Sequence, residues 1–414
     1  MIALRLLLNL CVLLVLAAAM PAHAQSRNAT EIAFQKWLSE TVTPAAEKRG
    51  VTASTLQRAF AGLKLDWTLP DLAPPGQPGR EEPQRQAEFQ GPARYFDEGK
   101  VKSLAQGGRS RFKTWSRTLA EVETRYGVSP SIVLAIWGRE SGYGAAKLPY
   151  SAIRALATES FMGARKENFY PELLAALEIL EGDHIALNQM KSSWAGALGQ
   201  PQFLPSKYLT TAVDFDKNGR RDIWNSVPDT LGSIANYLKQ NGWQPGVGWG
   251  FEVALPPEIA CSLEGPDQGK PMSDWLAMGI RNADGSQINA RTPKQIMHLL
   301  MPAGRYGPAF LVSDNFYVLK SYNESDLYAL FIGHLADRIR SNAGPFLGRW
   351  ADVGGFRRSD VRSMQQRLEA RGVDVGSADG LVGYKTRIAV GDWQTSKGVP
   401  PTCFPDAALL KQIR

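Results

Sequence analysis

The chain has 414 residues, 44% hydrophobic and 21% charged, which suits a globular protein of two or three domains. Its formal charge of +7 is not gathered into a basic stripe, so an anionic polymer fits it better than nucleic acid. Four histidines, no paired Cys/His spacing, no phosphate-cradling Gly loop and no dinucleotide fingerprint point away from zinc and nucleotide chemistry.

Residues 1–24, "MIALRLLLNLCVLLVLAAAMPAHA", read as a secretory signal: one Arg5, a leucine-rich core and a small-residue ending, with cleavage after Ala24. An uncleaved membrane anchor is the alternative, and Pro21, Ala22 and Ala24 favour cleavage. Cys11 follows Leu8-Asn9-Leu10, a poor lipoprotein site, so a soluble exported protein is expected. The leader carries one Arg and no acid, so its loss lowers the charge from +7 to +6. Cys261 and Cys403 then remain, and an oxidising compartment permits a bridge between them without establishing one.

Residues 29–62 have broken helical spacing through Ile32, Phe34, Trp37, Leu38 and Leu56. Residues 70–92 are dense in Pro and charge and are expected as an exposed loop. From 109 to about 240 helical patterns alternate with turns. "RTLAEVETRYGVSPSIVLAIWGRE" predicts a helix, a Gly turn and a second helix opening at Ser129-Pro130. Residues 251–312 mix Pro, Gly and short apolar runs, a segment with a few short strands. A long helix follows in "ESDLYALFIGHLADRIRS", capped at Asn323 or Ser325, with Leu327, Leu330, Phe331 and Leu335 on its apolar stripe. Residues 343–356 read as a linker, and 357–414 as a small three-helix unit with Val361, Met364 and Leu368 on one face.

"AIWGRESGYG" places Glu140 at the end of an apolar helix. Trp137, Ile136 and Val133 share its face, and Gly142 and Gly144 can end the helix. The negative end of the macrodipole and an apolar surround both disfavour the charged carboxylate and raise its pKa. A carboxylic acid that stays protonated near neutral pH suits general-acid cleavage of a glycosidic bond. On the helix alone, an ordinary exposed Glu at a helix end is the simpler reading.

"WGRESGYG", then "SSWAGALGQPQFLPSKYLTTAVDFDKNGRRDIWNSVPDTLGSIANYLKQNGW" and "LVSDNFYVLKSYNESDLYALFIGHLADRI", closely resemble lytic murein transglycosylases of the membrane-bound B type, glycoside hydrolase family 103. The resemblance spans roughly residues 29–342. It implies a mainly α, lysozyme-like catalytic domain (25–342) with small α/β insertions. It also implies cleavage of the MurNAc–GlcNAc bond of peptidoglycan without water, leaving a 1,6-anhydro-muramyl end. Glu140 then stands where the family has a single catalytic acid/base, so no second carboxylate is obligatory, unlike the usual glycosidase pair. Glu159, in "ALATESF", carries no motif and reads as structural.

By the same resemblance Gln202, Ser193, Tyr237, Tyr322, Asn323, Tyr328, Tyr95 and Arg165 are substrate-binding candidates. Ordinary core packing is the alternative for each tyrosine, and a solvated charged face for Arg165. "DFDKNGRRDIWN" places Asp214, Asp216, Asn218 and Asp222 at EF-hand positions one, three, five and nine, with Gly219 at six and the Arg220 carbonyl at seven. Asn225 stands where a bidentate Glu is expected. The resemblance implies a longer loop, 214–229, closed by Asp229, holding a structural Ca²⁺; no cofactor is implied for catalysis. An Asp/Asn/Gly surface turn is the alternative.

Residues 357–414 resemble the small peptidoglycan-binding domain of wall hydrolases, through "VRSMQQRLEARG" and "ADGLVGYKTRIAVGDWQ". That implies a tethered second site that raises local concentration on an insoluble polymer. The whole reading is an exported, periplasmic enzyme acting on glycan strands. A hydrolytic muramidase and a non-catalytic wall-binding scaffold remain as alternatives. Endo or exo cleavage, oligomeric state and protein partners are left open.

Overall fold

A computed structural model describes residues 22–74, 92–289, 292–353 and 355–413. The expected leader up to residue 21, and residues 75–91 of the expected Pro-rich loop, lie outside the described residues. The described residues fall into two compact units, one within 1–82 and 147–226, the other within 83–146 and 227–414.

In the first unit the helix Ala22–Trp37 passes through a π-turn at Leu38–Val42 into Thr43–Glu47. Phe34, Leu38, Val42 and Ala46, four residues apart, are its buried stripe. Ile32 is two residues from Phe34 and so faces the other way; it is 64% exposed. Helices Ala152–Met162 and Lys166–Glu181 pack together, apolar on most sides. Tyr150–Ser151 pairs antiparallel with Lys191–Ser192 beside them.

The second unit is built round one buried helix. Helices α1 (Glu98–Thr114) and α2 (Ser116–Tyr126) precede α3 (Pro130–Ser141). Gly127 adopts a left-handed φ of 72° that stops α2, and Pro130 at the first turn starts α3. Every α3 residue from Ser131 to Gly138 is buried. Packed on it are α1, α4 (Val227–Gln240) and, further along the chain, the long helix 326–341.

In chain order, between α4 and that long helix, comes an antiparallel sheet of β1 (Gly250–Ala254), β2 (Lys270–Pro271), β3 (Arg281–Asn282), β4 (Ile296–Leu300) and β5 (Ala309–Val312), in the order β2-β4-β5-β1-β3. Leu299 opposite Leu311 joins Val253 and Trp275 in the core of one face. Phe310 points to the other, against Trp249 and Phe346. α5 (Asp314–Lys320) then leads through a turn into α6 (Asp326–Ser341), where Ser325 is the cap: its side chain accepts the Tyr328 N–H.

The C-terminal module comprises α7 (Arg358–Glu369), α8 (Tyr384–Ser396) and α9 (Ala407–Gln412). Its own core includes Val361, Met364, Leu368, Val390 and Leu409. In the stretch leading to it, residues 346–350 are held against the sheet and Phe96. Trp350 stacks on Phe96 at 5.3 Å, and Glu252 accepts the N–H groups of Leu347 and Gly348. Cys261 and Cys403 are joined by a disulfide, Cα–Cα 5.5 Å, which ties the module to the sheet.

Candidate active site

α3 ends at Gly142, and Glu140 sits in its last turn, partly exposed while Trp137, Ile136 and Val133 are buried. The turn after it is latched to α1. Tyr143, with a left-handed φ of 64°, packs edge-on against Trp137 at 5.4 Å and donates its hydroxyl to the Leu104 carbonyl at 2.6 Å. Ser141 Oγ accepts the Gly144 N–H at 3.1 Å. Glycine is required where Tyr143 enters: a Cβ at Gly138 would lie 2.6 Å from its ring, and one at Gly107 2.7 Å. The glycine pair in "AQGGRS", odd inside a helical pattern, is the sequence trace of this contact.

Tyr328 touches the carboxyl, and Tyr322 and Tyr237 follow it in a chain of ring contacts. Tyr328, 1% exposed, donates its hydroxyl to Glu140 Oε1 at 2.6 Å. Tyr322 stacks on Tyr328 at 6.1 Å with rings 13° apart, and Tyr237 meets Tyr322 edge-on at 4.8 Å. Tyr237 donates to the Ser321 carbonyl at 2.6 Å, fixing the turn that carries Tyr322. Burial pushes the Glu140 pKa up, opposed by the Tyr328 hydrogen bond and by the charge of Arg139. Burial, and then the Glu140 charge, push the Tyr322 and Tyr328 hydroxyls well above their usual range, so both remain protonated.

Tyr95 is buried and meets the site through Arg139, which donates to its hydroxyl at 2.8 Å. The Arg139 guanidinium lies 4.7 Å over the Tyr95 ring and 5.0 Å over Phe331. The Tyr95 hydroxyl and two aromatic faces thus hold the Arg139 guanidinium, as its place on a different helix face from Glu140 leads one to expect. Asn323 is exposed beside Tyr322. With Arg139 and Ser325 it lines a cleft of about 1330 Å³ that reaches the loop Gly380–Tyr384; Glu140 is not among the lining residues.

Gln202, Ser193 and Arg165 belong to the first unit. Gln202 takes a left-handed φ of 55° and donates from Nε2 to the Gly199 carbonyl at 2.7 Å. Ser193 Oγ accepts the Ala197 N–H at 3.1 Å. Arg165 pairs with Asp71 at 2.9 Å and lies over Phe169 and the half-buried Trp194, an aromatic that sequence reading passed over. Glu159 is wholly buried, and neither of its carboxyl oxygens has a hydrogen-bond partner among the described residues.

The sequence profile of the transglycosylase SLT domain matches residues 33–337, and that of a peptidoglycan binding domain matches 357–413. The chain belongs to the transglycosylase SLT family. It is similar to SltB3 of Pseudomonas aeruginosa, solved in complex with NAG-anhNAM-pentapeptide: 37% identity, 92% of this chain and 99% of that one, TM-score 0.80. It is also similar to the soluble lytic transglycosylase SltB1 of that species: 26% identity, 75% of this chain and 100% of that one, TM-score 0.58. With the membrane-bound lytic murein transglycosylase B of Escherichia coli (strain K12) it shares 31% identity over 219 residues, 52% of this chain. That match spans 58% of the relative's length. The chain is homologous to lytic murein transglycosylases.

Within the SLT domain, the acidic loop from Asp214 is organised by its own backbone. The Asp214 carboxylate accepts the N–H groups of Asn218 and Gly219 at 3.0 and 2.8 Å. Asp216 accepts from Asn218 N–H at 3.2 Å and from the Ser226 hydroxyl at 2.8 Å. Asn218 Oδ1 accepts the Arg220 N–H, and Gly219 makes the sharp turn at φ 90°. Asp222 caps the N–H groups of Trp224 and Asn225 instead. Asp229, wholly buried, lies in the first turn of α4. One carboxylate oxygen from each of Asp214, Asp216 and Asp229 lies within 4.8 Å of the others, an oxygen donor set that fits a hard cation such as Ca²⁺. No helix among the described residues of the SLT chain is long and apolar enough to cross a membrane.

Proposed function

We propose that the chain is an exported lytic murein transglycosylase that cuts the MurNAc–GlcNAc β-1,4 bond of peptidoglycan, with Glu140 as its one acid/base. One observation carries the reading: a carboxyl with a raised pKa, at the end of a buried helix, held by a neutral tyrosine hydroxyl. Protonated, Glu140 gives its proton to the glycosidic oxygen, and the C1–O bond breaks with its electron pair on the leaving sugar. As carboxylate it takes the proton of the muramyl C6 hydroxyl while that oxygen bonds to C1. Glu140 ends protonated, the product is the 1,6-anhydro sugar, and no water is consumed.

Tyr328 stabilises the carboxylate between the two steps, so the hydrogen bond matters most when Glu140 is charged. Tyr322, Asn323, Gln202, Ser193 and Arg165 are proposed to hold the glycan. Tyr237 would act through Ser321, and Tyr95 through Arg139. The Cys261–Cys403 bridge supports an oxidising, periplasmic location. On sacculi, Glu140→Gln is expected to cut product release by about 10²–10⁴-fold, the weight of a positioned acid/base, and to leave sacculus binding unchanged. Release at the wild-type rate would refute the assignment.

A Ca²⁺ ion is proposed for the 214–229 loop, held by Asp214, Asp216, Asn218, the Arg220 carbonyl and Asp229, with Asp222 at the position that often acts through water. When bound, the ion would neutralise the clustered carboxylates and stiffen the loop. Thermal unfolding with Ca²⁺ against chelator should show a higher midpoint with Ca²⁺, and Asp214→Asn should abolish the difference.

A further inference from the structure

Residue Arg387, on α8 of the C-terminal module, is 1% exposed yet points out of the module core. Its guanidinium grips Glu264, with Nε at 2.9 Å and Nη2 at 2.7 Å from Oε1. Nη2 also reaches Asp326 Oδ2 at 3.0 Å. Glu264 is wholly buried and accepts the Met301 N–H at 2.8 Å, so this end of the network is anchored in the sheet. Asp326 opens α6 and also pairs with Lys320, the last residue of α5, at 2.8 Å.

The turn between those two helices, residues 321–325, is therefore clamped at its exit by Asp326. It carries Tyr322 and the cap Ser325. Two residues beyond Asp326, Tyr328 bonds Glu140. The module is fixed against the same body by the disulfide, by Tyr384 to Asp267 at 2.6 Å, and by Tyr306 to Asp406 at 2.6 Å. A module that served only as a flexible tether would need none of these buried ionic contacts, which carry a desolvation cost.

We propose that the C-terminal module is part of the catalytic apparatus, with Arg387 as a positioning residue that sets the Tyr322–Tyr328 turn through Asp326. The proposal rests on the acid/base reading of Glu140. A planar guanidinium fork fixes two carboxylates in direction as well as distance, which an ammonium does not. Displacing Tyr328 removes a bond that favours the charged Glu140. Of the other groups facing the carboxyl, Tyr322 rides on the same turn and is neutral, whereas Arg139 is held separately by Tyr95 and Phe331.

The test uses the full disulfide-bonded chain on a short soluble glycan, so that capture of sacculi is not limiting. Values of kcat and KM are measured across pH. Asp326→Asn leaves the Arg387–Glu264 pair intact but weakens both the link to Arg387 and the Lys320 pair; Arg387→Lys keeps the charge without the fork and leaves the Lys320 pair in place. Both are expected to lower kcat about tenfold, the scale of a slight misplacement, with KM changed less than about twofold. The alkaline limb of the rate profile should move to higher pH, and sacculus binding should match wild type. Asp326→Asn with wild-type kcat and an unmoved limb overturns the proposal. So does a kcat loss that keeps the limb in place and follows a fall in thermal stability. If Glu140→Gln instead stays active on the same glycan, the acid/base reading fails.

Discussion

Glu140 and Glu159 both sit on helices whose residues are mostly buried, and burial raises the pKa of each. Glu140 has a partly open face and a tyrosine donor at 2.6 Å. Glu159 is sealed, has no hydrogen-bond partner among the described residues, and is pushed to about 8 by burial and then by the charge of Asp71. A raised pKa alone therefore does not mark an acid catalyst. On the proposed acid/base reading of Glu140, access for a substrate oxygen, and a partner that stabilises the anion once the proton has left, separate the two carboxyls.

Removing the partner tests that distinction most strongly. Tyr328→Phe keeps the ring and its stacking with Tyr322 but takes away a hydrogen bond to a charged group, which contributes about 1.5–3 kcal/mol. An expected loss of roughly 10–100-fold in kcat follows, with the alkaline limb of the rate profile moved to higher pH. An unchanged profile would make Tyr328 a packing residue like any other.

Disturbing the support beneath Glu140 should have a smaller effect. Gly138→Ala forces a methyl against the Tyr143 ring, and overpacking of this kind costs about 1–3 kcal/mol. Thermal unfolding should show the loss, together with a several-fold lower kcat as the last turn of α3 shifts. Tyr143 replaced by a smaller residue in the same background should recover part of the stability.

Glu159→Gln should leave activity close to wild type while changing stability. A buried acid whose folded pKa of about 8 exceeds the reference 4.5 holds its proton in the folded state after the unfolded chain has released its own. Its contribution to stability therefore falls as pH rises from 4.5 to about 8. The amide removes that dependence, so the variant should gain in melting temperature over wild type as pH rises through this window. A loss of activity comparable to Glu140→Gln would erase the contrast between the two carboxyls.

Much of the helical frame was legible because its signals are local. Pro130 opening α3, Gly127 and Gly142 closing helices, and Ser325 capping α6 are short-range features with fixed backbone consequences. Glu140 drew notice through a stripe broken by a charge. The lining of the site was less legible from pattern alone. Tyr95 and Arg139 are 44 residues apart, and Tyr328 and Glu140 are 188 apart. No spacing rule connects such pairs, and family resemblance was needed to single out the tyrosines. The Cys261–Cys403 bridge and the Arg387 network depend in the same way on how the module is docked, across 142 and 123 residues. A small C-terminal unit with its own core reads as a tether in sequence, whatever its outward-facing arginine touches.

The central claim is that one carboxyl performs both proton transfers without a water molecule. Digestion of sacculi in water labelled with heavy oxygen, followed by mass analysis of the released muropeptides, tests it most directly. Wild type should release 1,6-anhydro-muramyl products that are one water lighter than reducing ends and carry no label, and Glu140→Gln should release almost none. Labelled reducing ends from wild type would contradict the account and make the enzyme a hydrolase.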